Sequence, residues 1–252
     1  TEGYAKSRVD LLPSPIDWES PTIKGSLSKT DVSRGDRFKA EAVLTEIEGM
    51  DADGVLDSRT LLSFTISFQP NQTEFDARVY SEEYKRVFSL ADRYGNAAIV
   101  IRGHSDTTLV LRDAVKAGLE NGKLKRSGNK GEYKYYLDGR PLNLADPKAM
   151  SEAIRSSDAF RPSGEFDPRK TMQAALNLSR ERANAVRASL IKYAKTNGVR
   201  VDESQVQTQG VGIREPLIGR PRNPEEAGEN MRVEFRLVRV SAEAIVQSDF
   251  DF

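Results

Sequence analysis

Hydrophobic and polar positions along this chain alternate with two different periods, and the changes of period mark out its elements. In "LLSFTISF" (61–68), Leu62, Phe64, Ile66 and Phe68 face one way and Ser63, Thr65 and Ser67 the other. That period of two predicts a half-buried strand. "MRVEFRLVRV" (231–240) repeats the pattern, with Val233, Phe235 and Leu237 inward and Arg232, Glu234 and Arg236 outward. "AAIVIRG" (97–103) is apolar without interruption, which predicts a central strand buried on both faces. "SQVQTQGVG" (204–212) reads as a short strand, and "RFKAEAVLTEIE" (37–48) alternates well enough for another.

Helical spacing fills the gaps. Residues 79–95 place Tyr80, Tyr84, Val87, Phe88 and Ala91 on one stripe and stop at Gly95. Residues 108–124 and 146–160 read as helices, the second opening with Asp146 as N-cap and Pro147 at the first helical position. Residues 166–198 repeat that opening with Asp167-Pro168, run on Met172, Leu176, Ala183, Val186, Leu190 and Tyr193, and stop at Asn197-Gly198. Between the first two of these three helices, residues 132–144 carry two short apolar runs around Asp138-Gly139, a hairpin signal. Residues 213–230 are Gly/Pro-rich and read as loop. The first 36 residues, with Pro13, Pro15 and Pro21, read as irregular, and the tail from 241 has no period.

Composition narrows the function classes. The chain has 252 residues, with 38 Lys+Arg against 38 Asp+Glu, so there is no basic excess of the kind a bulk nucleic-acid binder uses. No apolar run reaches the roughly 20 residues of a membrane-spanning helix. Cysteine is absent, which removes disulfides, thiolate nucleophiles and Cys-ligated zinc, and suits an oxidising compartment. The chain opens at Thr1 without an initiator Met or a signal-type apolar segment, as a processed protein or a fragment would. "GMDADG" (49–54) places its glycine too early for a calcium loop and lacks the closing Glu, so it reads as a turn. His104 is the only histidine, so no multi-His metal site is possible, and no G-x-S-x-G elbow supports Ser-His-Asp hydrolysis. His104 reads as a structural residue.

Five short pieces, in order, carry a resemblance: "FTISFQPNQTEF", "IVIRGHSDTT", "LSRERANAVRASL", "QGVG…EP" and "NMRVEF". With the strand and helix order above, they resemble the OmpA-like domain family, the peptidoglycan-binding module of outer-membrane proteins, lipoproteins and flagellar stator proteins. The resemblance covers roughly 60–107 and 166–240. It implies an α/β (α+β) sandwich: an OmpA-like mixed sheet with helices packed on one face. To this the chain adds an N-terminal extension (1–58), an inserted helix–hairpin–helix (109–165) within the domain at 59–240, and a tail (241–252). Leu109 stands where the family has a glycine, and Ala175 where it has an asparagine.

The resemblance also implies a ligand. The family binds the stem peptide of peptidoglycan, through the zwitterionic head of diaminopimelate. Such a head needs a fixed anion and a fixed cation a few ångströms apart. The resemblance assigns these roles to Asp106, at the carboxyl end of the central strand, and Arg182, whose planar fork suits a carboxylate. It extends the site to Thr108, Asn71, Leu178, Ser179 and Arg232. It implies a non-catalytic module with no cofactor or metal, in the periplasm or cell envelope of a Gram-negative bacterium. Peptidoglycan is the expected partner, with envelope proteins as further candidates and self-association possible. The residues alone leave other readings open. Asp106 can serve only an Asx-turn, Arg182 can be an ordinary helix arginine, and the insertion can elaborate the sheet edge or overhang the pocket. The whole can also be an envelope protein–protein interaction module that has lost wall binding.

Overall fold

The computed structural model describes residues 49, 53, 60–93, 97–129 and 132–240. The strand expected over 37–48, most of the turn at 49–54 and the tail from 241 lie outside them.

The main sheet has four strands: β1 (Thr60–Ser67), β2 (Ala97–His104), β6 (Val206–Gly212) and β7 (Arg232–Arg239). Their order is β1-β7-β2-β6, with β1/β7 and β7/β2 antiparallel and β2/β6 parallel. The sheet is therefore mixed, and β2 runs through its middle with all eight residues buried. Its uninterrupted apolar start has the expected cause: both faces are covered.

Two helices cover one face. Helix α1 (Ser81–Arg93) follows a short 3₁₀ turn (Ala77–Tyr80), and α4 (Pro168–Thr196) is the long helix read from the sequence. Asp167 caps α4 by accepting from the Lys170 N–H at 3.0 Å, with Pro168 at the start of the helix. Ile66, Val87, Ile99, Ile101, Val186, Leu190, Val233, Phe235 and Leu237 form the core between sheet and helices. Phe64 stacks on Phe235 at 4.6 Å, and Tyr84 meets Tyr193 edge-on at 5.6 Å. The inward residues of β1 and β7 are those the alternation picked out.

The 109–165 stretch is more ordered than its pattern indicates. It contains α2 (Thr108–Glu120), a three-stranded antiparallel sheet of β3 (Leu124–Ser127), β4 (Lys134–Leu137) and β5 (Arg140–Leu142), and α3 (Pro147–Ser156). β3 was not legible: only Leu124 of its four residues is buried, and it is a strand because it pairs with β4. Asp138 and Gly139 form the β4–β5 turn, both at positive φ (49° and 79°). A second apolar cluster packs Val110, Leu111, Ala114, Leu124, Tyr135, Met150, Ile154, Phe160 and Met172. The amino-terminal half of α4 enters this cluster and the carboxyl-terminal half enters the first. At 29 residues α4 is roughly 43 Å long, enough to serve both cores. The loop read over 213–230 ends in a short helix, α5 (Pro224–Asn230), capped by Asn223, which accepts from the Glu226 N–H at 2.8 Å.

α4 crosses the sheet at glycines. A methyl group on Gly103 would overlap the Ser179 carbonyl, and one on Gly210 would press on the Arg180 side chain at 3.0 Å. The bare backbone of β2 and β6 lets the helix lie directly on the sheet at their carboxyl ends. One helical turn past that crossing stands Arg182.

Candidate functional site

The segment after β2 is pinned at every residue. The Ser105 N–H donates to the Gly212 carbonyl at 2.8 Å, and its hydroxyl donates to the Ala175 carbonyl at 2.7 Å. The Thr107 hydroxyl donates to the Gly219 carbonyl at 3.0 Å, and the Thr108 hydroxyl to Asp106 Oδ1 at 3.0 Å. Asp106 itself is 1 % exposed. Thr108 is thus directly on Asp106, as an Asx-type turn residue would be and as a shared ligand shell would be.

Arg182 is 0 % exposed. Its Nε donates to the Gln72 carbonyl at 2.9 Å, Nη2 to the Gln69 carbonyl at 3.0 Å and Nη1 to the His104 carbonyl at 3.3 Å. Its guanidinium carbon lies 5.3 Å from the centre of the Phe68 ring. One side chain therefore ties the loop after β1 to the end of β2. This is not an ordinary surface arginine. Asn71 sits between the two residues of that loop whose carbonyls accept from Arg182, half-buried, at φ 59°.

The other expected residues divide. Ser179 is 0 % exposed; its hydroxyl donates to the Leu176 carbonyl at 2.7 Å and accepts the Gly212 N–H at 3.0 Å, which fastens α4 to the end of β6. Leu178 is half-buried on α4. Arg232 is not with Asp106 and Arg182. It alternates out of the apolar face of β7 and joins a charged cluster on the opposite face of the sheet. There its Nη2 donates to Glu234 Oε1 at 2.6 Å and to the Glu215 carbonyl at 3.3 Å. The outward assignment of Arg232, Glu234 and Arg236 already pointed that way.

That cluster also holds Arg102, whose Nε donates to Gln209 Oε1 at 3.0 Å and Nη2 to Glu215 Oε1 at 2.8 Å. Arg236 Nη2 donates to Glu234 Oε2 at 2.7 Å, and His104 Nε2 lies 3.5 Å from Glu234 Oε1. Burial, with Arg232 adding to it, pushes His104 down to about 3, so the ring is neutral at ordinary pH. Burial alone would raise Glu234. Attraction to His104 and hydrogen bonds from Arg236 and Arg232 outweigh it and hold the carboxyl at about 2. With His104 uncharged, the two arginines supply that effect near neutrality. His104 faces Glu234 and Ser105 is bonded to a main-chain carbonyl, so the pair forms no nucleophile–base unit.

Loop 213–223 is bonded to Thr107, beside Asp106, and nothing in the sequence pattern announced it. Gly219 takes the Thr107 hydroxyl and packs so tightly on the insertion that a methyl group there would overlap the Ala145 carbonyl. Asn230, 0 % exposed, bonds Ile218 through both its amide atoms, at 3.0 and 2.8 Å. Arg220 lies 5.9 Å from the Tyr135 ring centre. The insertion thus reaches the loop that covers the end of β2. A cleft of about 660 Å³ lies at the other end of the sheet, between Phe88, Ala97, Ile99, Tyr193 and Val199, remote from these residues. Among the described residues, no group of three or more His, Asp and Glu is placed to hold a metal, and no helix is long and apolar enough to cross a membrane.

No family model matches the sequence, and no curated protein matches it. Among solved structures, the chain is similar to the periplasmic domain of Helicobacter pylori MotB, at 13 % identity over 71 % of this chain and 76 % of that one, with a TM-score of 0.33. It is also similar to a putative MotB-like protein from Desulfovibrio vulgaris, at 15 % identity over 82 % and 95 %, with a TM-score of 0.34. The functional reading therefore rests on the residues themselves.

Proposed function

We propose that this chain is a non-catalytic peptidoglycan-binding module of the bacterial cell envelope. In this reading Asp106 takes the ammonium and Arg182 the carboxylate of a stem-peptide diamino acid, and the module anchors an envelope component to the wall from the periplasm. The observation that carries it is convergence. Asp106 and Arg182 are 76 positions apart, yet Arg182 bonds the carbonyl of His104, two residues before Asp106, at 3.3 Å. A charge of each sign at one strand end is what a zwitterion needs. Thr108, on Asp106, and Asn71, in the loop bonded by Arg182, belong to the same neighbourhood. Binding requires the site to open, because both charges are buried: the loop after β1 lies on Arg182, and loop 213–223 is bonded to Thr107, next to Asp106. A few charge-assisted hydrogen bonds, less the cost of association and opening, put single-site affinity at about 1 mM to 1 µM.

The burial itself favours a second reading. A guanidinium already bonded to three main-chain carbonyls is a structural tie, and a scaffold so closed can serve as an envelope interaction module without wall binding. Co-sedimentation with purified sacculi separates the two. On the first reading the protein pellets with sacculi, and free meso-diaminopimelate displaces it. Asp106→Asn, still folded by circular dichroism, stays in the supernatant. A wild-type protein that does not pellet, or that pellets without competition by the free diamino acid, overturns the proposed site.

A further inference from the structure

The cleft at the far end of the sheet has no part in the site described above. Its floor is apolar: Phe88 of α1, Ala97 and Ile99 of β2 and Val206 of β6 are buried, with Tyr193 of α4 half-buried beside them. The Phe88 and Tyr193 rings lie nearly parallel, 6.2 Å apart at their centres and 8° apart in plane. The rim carries Lys85 and Arg200, both exposed. Among the described residues neither enters an ion pair. The one acid in the lining, Asp202, is engaged: its Oδ1 accepts the Ser204 N–H at 2.9 Å and the Ser204 hydroxyl at 2.6 Å. An occupant with aromatic side chains flanked by carboxylates meets both the floor and the rim.

The chain itself supplies such a segment. β7 ends at Arg239, and Arg239 pairs with Ala97, a residue of the cleft floor. Residues 241–252, "SAEAIVQSDFDF", begin two positions later. They hold Glu243, Asp249 and Asp251 and no Lys or Arg, and Phe250 and Phe252 alternate with the last two acids. The distances suit. β7 is next to β2 and two strands from β6, so about 10 Å separates its end from the β6 side of the cleft. The stretch from Val240 to Phe250 reaches up to about 33 Å when extended, enough to cross the strand ends and turn onto the helix-bearing face. Residues 1–59 also join the sheet at this end, since Thr60 pairs with Val238, but they mix bases with their acids. The segment after β7 is the one of uniform charge.

We infer that the cleft is a peptide-docking groove whose occupant is the chain's own segment 241–252, with Phe250 and Phe252 on the apolar floor and Asp249 and Asp251 at Lys85 and Arg200. The groove lies at the opposite end of the sheet from Asp106, so this docking stands whatever that site binds.

The full chain has no cysteine, so an introduced pair reports contact cleanly. Ser89→Cys is at an exposed position in the cleft lining, and Ser248→Cys is beside the aromatic end of the segment. In a glutathione redox buffer this pair forms an intramolecular disulfide with an effective concentration at least about tenfold above that of a remote pair, Lys134→Cys with Ser248→Cys. Adding Lys85→Glu with Arg200→Glu, both at exposed positions free of ion pairs, leaves the unfolding temperature unchanged and removes that tenfold advantage, as does adding Phe250→Ser with Phe252→Ser. Equal effective concentrations for the two cysteine pairs, or an advantage that neither set of substitutions reduces, overturns the inference. So does a disulfide found only between two molecules, which makes a second copy the source of the segment.

Discussion

Gly219→Ala separates closure beside Asp106 from the proposed binding chemistry. The added methyl group would overlap the Ala145 carbonyl oxygen, and main-chain atoms stand on both sides of the clash. Neither a rotamer change nor a flexible tip can relieve it. The loop must move off the insertion by about 1 Å before the two atoms reach ordinary contact. That shift stretches the Thr107–Gly219 hydrogen bond, now 3.0 Å. Losing one such bond costs about 0.5–1.5 kcal/mol, and the overpacking adds about 1–3 kcal/mol. The closed form is therefore destabilised by about 2 kcal/mol or more, while Asp106 and Arg182 are untouched. Each 1.4 kcal/mol raises the open fraction about tenfold, and the apparent affinity for a ligand that needs the open form rises in step while that form is minor. The variant is expected to unfold more easily, to exchange the amides of 213–223 faster, and to bind meso-diaminopimelate at least about tenfold more tightly. Thermal unfolding, hydrogen exchange and ligand titration on the same sample read all three. Faster exchange with no gain in affinity refutes the gate. Unchanged exchange and stability refute the packing argument.

Other residues give sharper structural outcomes. Arg182→Lys cannot reproduce three divergent bonds to the Gln69, Gln72 and His104 carbonyls and is expected to lose about 3 kcal/mol in urea unfolding; a near-neutral result would mean those bonds are not the tie they look to be. Gly103→Ala drives a methyl group into the Ser179 carbonyl and should cost at least about 2 kcal/mol, more than Gly139→Ala, which meets nothing within 4 Å but strains a positive-φ turn. His104 and Glu234 both have folded-state values below their usual 6.5 and 4.5, so the unfolded chain takes up protons that the folded chain refuses. Their stabilisation is complete above pH 6.5; that of His104 drains away as pH falls toward 3, and that of Glu234 from 4.5 toward 2. The unfolding temperature is thus expected to fall between pH 6.5 and 4.5, and His104→Gln to flatten that slope; an equally steep slope in the variant would remove His104 as its source.

Local pattern alone determined much of the fold. Alternation marked Leu62, Phe64, Ile66, Val233, Phe235 and Leu237 as inward, and all six line the first core, because side chains two apart on a strand must share a face. Asp146 and Asp167, each followed by Pro, started α3 and α4 where they do, because a carboxylate and a missing N–H are both local facts of a helix terminus. Asp138-Gly139 made its turn for the same kind of reason. The alternation in β7 also held the answer for Arg232, which the family pattern assigned to the site and the outward phase assigned to the far face. Tertiary structure decided the rest. β3 exists through its pairing with β4, and α5, though Asn223-Pro224 signals its start, stood inside a stretch whose glycines and prolines read as loop. That Arg182 is buried depends on where a 29-residue helix crosses β2 and β6, and that a loop is held beside Asp106 depends on the Thr107–Gly219 bond and on Gly219 meeting Ala145. Periodicity records which face a residue takes on its own element; it holds no information about which other element arrives to cover that face.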